Sequence, residues 1–416
     1  MVVNSVSLAY CYGCRNAGDF AINQGSIELL SRTLPDADFA GVSRFSEESE
    51  EFHRLVEAFD RTCVPDQLSG GPVTYDPKSQ SRVEQLFSLV GSGVRYGADM
   101  TGFADDASFH STLYRQIANS DLLLFNGGNA IHYSPSHQSI AYLLAILYPL
   151  HVARRTQTPY AILPQTIFGL EGLGKRLVVP ILNDAEFVMT RDDETFRYLS
   201  SFGLETSLIN ALDTAFLNGT PDASGTETNE PSRIAAVPRF STLGDTGELG
   251  DTVERMEQTF LNTLESMVEE GHDVTLTVQT EMDARWAADN RDRIAAMGLN
   301  YVEDYDPQAL RDHYRQMDLL VTMRLHAGIF ALSVGTPTVG VYRPEWGPKM
   351  PGTFETLDIG TYAMTWEEAS EETLRTAMID ALDEADTLSD HIASNVDVRN
   401  KQMASDFATA VKHVSQ

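Results

Sequence analysis

Short apolar runs recur along this chain, each followed by a segment with helical periodicity, and that alternation restricts the fold more than any other feature. The runs Val6–Cys11, Phe39–Ser43, Leu122–Phe125, Tyr160–Leu163, Phe187–Thr190 and Ser207–Asn210 read as strands. Helical patterns lie between them, including Phe20–Arg32 and Ser136–Arg154. Strands that alternate with helices pair in parallel, with helices on both faces of the sheet. Leu217–Ser232 then breaks the pattern with Gly, Pro, Ser, Thr and acidic residues and no apolar period, as expected of a solvated linker.

Alternation resumes beyond the break. Strands are expected at Ile234–Val237, Asp273–Val278, Leu319–Val321 and Thr338–Tyr342, with helices at Thr252–Glu269 and near Ala284–Met297. Two amphipathic helices, Thr365–Ala385 and Val396–Val414, close the chain. The length of 416 residues suits two domains of about 200 residues each. The expected fold is therefore α/β, two doubly wound Rossmann-like lobes facing a cleft. The boundaries read as an N-terminal lobe over 1–220, a linker over 221–232 and a C-terminal lobe over 233–416.

Sixty acidic residues face 30 basic ones, a formal charge of −30. Such a surface repels nucleic acid and anionic membranes, and it resembles that of proteins from salt-loving organisms, where salt screens the self-repulsion. No leader pattern of basic, apolar and small residues opens the sequence. The apolar stretch Ile140–Val152 is too short to span a bilayer and reads as a buried helix, so a cytoplasmic location is expected. Cys11 and Cys14 have the spacing of a redox or zinc pair, yet no second Cys/His pair accompanies them. Two thiols closing a buried strand are the simpler reading, and no metal is expected.

The segment most suited to chemistry is Thr322-Met-Arg-Leu-His-Ala327, where the strand Leu319–Val321 gives way to a helix. In open parallel sheets the ligand crevice lies at the carboxyl ends of strands. Arg324 and His326 there combine a fixed cation with a titratable imidazole beside exposed helix N–H groups, which fits an anionic ligand and proton transfer. Arg239, just past Ile234–Val237, and Lys349 add two more cations on the same lobe. In the first lobe, Asn16-Ala-Gly-Asp19 follows the first strand, and Asp19 is placed to cap a helix beginning at Phe20. Asn126, Asn129 and His132 surround a Gly-Gly turn after Leu122–Phe125, where hydroxyls of a ligand can be bound. Thr190-Arg-Asp192 ends another strand, with Arg191 expected to pair with a carboxylate of its lobe, and Lys175 reads as a solvated lysine.

Taken in order, these elements resemble the polysaccharide pyruvyl transferase family. The resemblance is carried by Asn16–Asp19, Asn126-Gly-Gly128, Pro164 through Gly169, Thr190–Asp192, Asp213–Phe216, Arg324-Leu-His-Ala327, Gly335-Thr-Pro337 and Tyr342 to Lys349. It implies a GT-B-like fold with no metal or cofactor, and transfer of a pyruvyl group from phosphoenolpyruvate to two hydroxyls of a sugar as a cyclic ketal. On this resemblance Arg239, Arg324, Leu325, His326 and Lys349 would bind the donor. His326 and Arg324 would be catalytic with Asp19, while Asn16, Asp19, Asn126, Asn129 and His132 would hold the acceptor. The chain departs from the family's usual pattern at Asn129, at Thr166 and in a longer Arg343–Pro348, which bears more on the acceptor than on the donor. Two rival readings are a GT-B-type glycosyltransferase using a nucleotide sugar and a non-catalytic glycan-binding relative.

Overall fold

The structure is a computed structural model describing residues 3–45, 47, 49–62, 67–69, 97, 111–133, 140–221, 231–240 and 250–414. Most of the expected linker 221–232 lies outside the described residues, as do Cys63, Lys78 and the expected helical positions 136–139. The chain forms two compact units. One comprises 1–14, 22–214 and 402–416, and the other 15–21 and 215–401.

The first unit holds a parallel sheet of β1 (Ser5–Cys11), β2 (Asp38–Ser43), β3 (Gln67–Ser69), β4 (Leu122–Phe125), β5 (Tyr160–Gln165), β6 (Phe187–Thr190) and β7 (Ser207–Asn210). Their spatial order is β3-β2-β1-β4-β5-β6-β7. Every residue of β4, β5 and β6 is buried, as a sheet covered by helices on both faces requires. Helix Ile140–Thr156 packs on this sheet through Leu143, Leu147, Leu150 and Val152, so the most apolar stretch of the chain is core. Among the described residues no helix is long and apolar enough to cross a membrane.

The second unit repeats the plan with β8 (Arg233–Val237), β9 (Asp273–Val278), β10 (Asn300–Glu303), β11 (Leu319–Thr322), β12 (Thr338–Tyr342) and β13 (Ala363–Thr365). All are parallel, in the order β10-β9-β8-β11-β12-β13. In each unit the order reverses beside the first strand, between β1 and β4 and between β8 and β11. Neighbouring connections leave in opposite directions at that point and open a crevice at the carboxyl ends.

Three corrections concern the sequence reading. Neither unit is one contiguous stretch, so the expected boundaries at 1–220 and 233–416 are crossed twice. Phe407 of the last helix packs edge-on against Phe187, with ring centroids 5.9 Å apart, and 402–416 belongs with the first unit. Residues 15–21 join the second unit by backbone pairing: Ala17 N–H donates to Gln279 O (3.2 Å) and Glu281 N–H to Arg15 O (3.2 Å). Third, the first helix spans Ala17–Thr33, three residues earlier than expected.

Candidate functional site

The carboxyl edge of the second sheet gathers the candidate residues from adjacent strands. After β8, Pro238 turns the chain and Arg239 follows. Phe240 anchors this turn edge-on against Trp286 (5.0 Å) and Phe260 (5.9 Å). After β11, the Thr322 hydroxyl accepts from Arg324 N–H (2.9 Å) and donates to Arg324 O (3.0 Å), which shapes the entry to helix Leu325–Leu332. The side chain of Leu325 is buried, so only its backbone N–H, in the helix's first turn, is left for a ligand.

Arg324 is not a bare cation. Its Nε and Nη2 grip the two oxygens of Asp283, with Nη2 2.7 Å from Oδ1. The Asp283 side chain is 2% exposed and that of Arg324 11%. Asp283 is itself fixed by Thr280, the N-cap of helix Glu281–Asp289, whose hydroxyl donates to Oδ2 (2.8 Å) and accepts from Asp283 N–H (3.2 Å). This bidentate fork sets the guanidinium plane. Among the described residues Nη1 of Arg324 has no acceptor.

Arg239 differs. Its guanidinium lies 4.1 Å from the centroid of the Trp346 ring. Its Nε is buried without a hydrogen bond, and it has no ion-pair partner among the described residues. Burial, together with the neighbouring Arg324 charge, lowers its pKa to about 9, with Asp283 opposing the shift. It stays protonated at neutral pH, but as a cation short of compensating charge. Arg239, Arg324 and Asp283 together carry a net single positive charge in a site partly withdrawn from water, which favours an anionic ligand.

His326, in the first turn of the same helix, lies against the segment 15–21. A Cβ at Gly18 would fall 2.3 Å from His326 Cγ and Nδ1, so only glycine admits the imidazole there. The segment is held by the Asn16–Thr280 bridge and by Arg15 Nη1 to Glu281 Oε2 (3.3 Å). Asn16 caps the helix, its Oδ1 accepting from Gly18 N–H (3.0 Å), which corrects the capping role expected of Asp19. Asp19 instead sits in the helix's first turn, where a carboxylate is favoured by the helix dipole. Lys349 opens helix Lys349–Thr356, three residues beyond Trp346 on the carboxyl side of β12.

In the first unit the structure separates residues that looked alike in sequence. Asn126 is fully buried, and all its hydrogen-bonding capacity is used. Nδ2 donates to Tyr10 O (2.9 Å) and Asn23 Oδ1 (2.8 Å), while Oδ1 accepts from Ser26 Oγ (2.7 Å) and Gly127 N–H (2.9 Å). It braces the β1–β4 junction and has nothing left for an acceptor, a correction to its expected role. Asn129 keeps a buried Oδ1 with no hydrogen bond, and the His132 ring stacks on Phe168 at 5.2 Å and 4°. Gly128, at φ 121°, makes the turn between Asn126 and Asn129 possible. Arg191 pairs with Asp213 (2.5 Å) and donates through Nε to Thr166 Oγ1 (2.8 Å), whose hydroxyl donates to Asp192 (2.6 Å). Burial raises the pKa of Asp192. This network is internal, so Thr166 is part of the scaffold. Among the described residues no group of three His, Cys, Asp or Glu side chains is arranged to hold a metal ion, and Cys11 and Cys14 are not joined in a disulfide.

The sequence reading missed Asp283, Thr280 and Trp346. Thr280 and Asp283 carry the signal of a helix start, a capping threonine with an acid three residues on, and nothing in the sequence ties them to Arg324.

The family model for polysaccharide pyruvyl transferases matches residues 16–344, from Asn16 in the segment beside His326 to the start of the Trp346 loop. The chain belongs to the polysaccharide pyruvyl transferase family. Trp346 and Lys349 lie just past the matched span. Among curated proteins none matches the chain. Solved structures share the architecture at low identity. UDP-GlcNAc 2-epimerase from Methanocaldococcus jannaschii has a TM-score of 0.54 at 11% identity, with 91% of this chain and 92% of that one covered. UDP-GlcNAc 2-epimerase from Neisseria meningitidis bound to UDP-GlcNAc gives 0.53 at 8%, covering 95% and 98%. UDP-glucose: anthocyanidin 3-O-glucosyltransferase in complex with UDP gives 0.55 at 10%, covering 99% of each chain. These likenesses establish the GT-B-type fold of two Rossmann-like lobes.

Proposed function

We propose that this family member moves a pyruvyl group from phosphoenolpyruvate to two hydroxyls of a sugar in a surface glycan or polysaccharide precursor, forming a pyruvate ketal. The observation that carries the reading is the charge imbalance at the β8–β11 edge, where Arg239 has no ion-pair partner among the described residues and Arg324 is only partly compensated. A small, multiply charged donor supplies the missing negative charge. Arg239, Nη1 of Arg324, the Leu325 N–H and Lys349 hold it, and no cofactor or metal is required.

His326 donates a proton to C3 of the enol, which makes C2 electrophilic. One sugar hydroxyl oxygen bonds to C2 and gives up its proton to a base, for which Asp19 is the candidate. The second hydroxyl then bonds to C2 as the C2–O bond to phosphate breaks, and its proton leaves on the phosphate. The balance is one donor and one diol giving one ketal and inorganic phosphate. Of the residues first assigned to the acceptor, Asn16, Asp19, Asn129 and His132 remain candidates. We place the enzyme in the cytoplasm, acting on a precursor before export, and read its acidic surface as adaptation to high salt.

The test is acceptor-dependent phosphate release from phosphoenolpyruvate. General acid catalysis is worth about 10²–10⁴-fold, so His326→Ala should slow turnover by that order while donor binding persists. Near-normal turnover in this variant would remove His326 from the role. Binding of a nucleotide sugar with no binding of phosphoenolpyruvate would replace pyruvyl transfer by glycosyl transfer.

A further inference from the structure

Trp346 sits in the short 3₁₀ turn Pro344–Trp346. The turn is built to hold its place. Trp346 N–H donates to Arg343 O (2.9 Å), and Gly347 N–H donates to Pro344 O (3.0 Å) from a φ of 81. Buried Arg343 is paired with Glu345 at 3.2 Å. The indole then covers the Arg239 guanidinium at 4.1 Å.

Two consequences follow from that stacking. A guanidinium carries its N–H donors in its plane, so a ring over its face leaves the donors available while taking the surface on which a nucleobase would stack. The ring also shields the cation from water, and among the described residues no ion pair with a carboxylate offsets that loss. We infer that Trp346 is a positioning and specificity residue. It fixes the plane of Arg239 for in-plane capture of a small carboxylate or phosphate anion and denies the guanidinium face to a nucleotide. This rests on the donor site proposed above, but its own content is the dependence of anion binding on the indole.

The experiment is calorimetric titration of the full-length wild type, Trp346→Ala and Trp346→Phe with phosphoenolpyruvate, inorganic phosphate and UDP-glucose, alongside donor kinetics. Thermal unfolding of the free proteins reports on folding. Trp346→Ala should weaken phosphoenolpyruvate and phosphate by about tenfold, in the range of a partly desolvated cation–π contact, and Trp346→Phe should restore most of it. KM for the donor should rise while kcat at saturation stays near wild type. UDP-glucose should not be weakened by the Ala change. Equal anion affinity in the wild type and the Ala variant, or a Phe variant as weak as Ala, overturns the inference and leaves pyruvyl transfer standing. Phosphate binding that needs the indole, without any phosphoenolpyruvate binding, sinks the proposed donor and keeps the role of Trp346. Binding of neither anion by the wild type removes both.

Discussion

Asp283→Asn is the most searching perturbation of the candidate site, because it leaves the shape of a buried ion pair and deletes its negative charge. In the wild type two guanidinium groups share one carboxylate. The substitution raises the net charge of Arg239, Arg324 and position 283 from one positive charge to two. Opposite charges about 4 Å apart at an effective dielectric constant of about 20 attract by about 4 kcal/mol. Breaking a buried pair by removing one partner costs about 3–5 kcal/mol, since the remaining charge stays desolvated. The free protein should therefore lose stability on that scale. The Thr280 cap limits further damage, because its hydroxyl still accepts from the N–H of residue 283.

The same charge count reverses the sign for ligands. A bound anion replaces the missing carboxylate, so phosphate or phosphoenolpyruvate should stabilise Asp283→Asn more than the wild type at equal concentration. A ligand at 100 times its Kd adds about 2.7 kcal/mol, readily measured by denaturant unfolding with and without the anion. Turnover should fall even so, since Arg324 has lost the fork that sets its plane. Two results would refute this reasoning: a variant as stable as the wild type, or one whose stability responds to phosphate no more than the wild type's does.

Other consequences are open to direct measurement. Gly18→Ala drives a methyl group into His326 and should cut turnover by about 10²-fold or more through loss of the general acid, with only a small change in Tm; an active variant would show that the contact does not position the imidazole. Asn126→Ala removes four buried hydrogen bonds worth about 1 kcal/mol each and should appear as lost stability in chemical denaturation, while any folded fraction keeps its acceptor KM. With a charge of −30 and a screening length that shrinks from about 10 Å at about 0.1 M salt to about 3 Å at about 1 M, Tm should climb steadily with KCl. A flat response would end the high-salt reading.

Much of this architecture was legible because central parallel strands are apolar on both faces. Leu122–Phe125, Phe187–Thr190, Asp273–Val278 and Thr338–Tyr342 fall where their apolar runs place them, and the partly exposed edge strand Ser207–Asn210 also falls at its expected place. The strands that escaped notice are edge strands or nearly so. Asn300–Glu303 is largely exposed and reads as loop, and Gln67–Ser69 and Ala363–Thr365 are three residues long. A strand with one neighbour buries little, so it leaves little hydrophobic signature. Helix starts were misjudged for a related reason: Asn16 caps with its own side chain, while the acid of Asp19 suggested a later boundary.

The site divides along the same line. A motif such as Arg324-Leu-His326 is read from spacing alone, because strand, turn and helix are contiguous in the chain. The function of Asn126 is not, since its amide is consumed by Tyr10, Asn23 and Ser26, 100 or more positions away in sequence. Nor is the state of the two arginines, which the sequence presents as equals. Asp283 lies 41 positions before Arg324 and hydrogen-bonds that residue, while Arg239 lies against an indole. In a chain with twice as many acids as bases, a buried cation with no ion-pair partner among the described residues stands out. Among the described residues no carboxylate forms an ion pair with Arg239, and on the proposed reading the negative charge it needs arrives with the ligand.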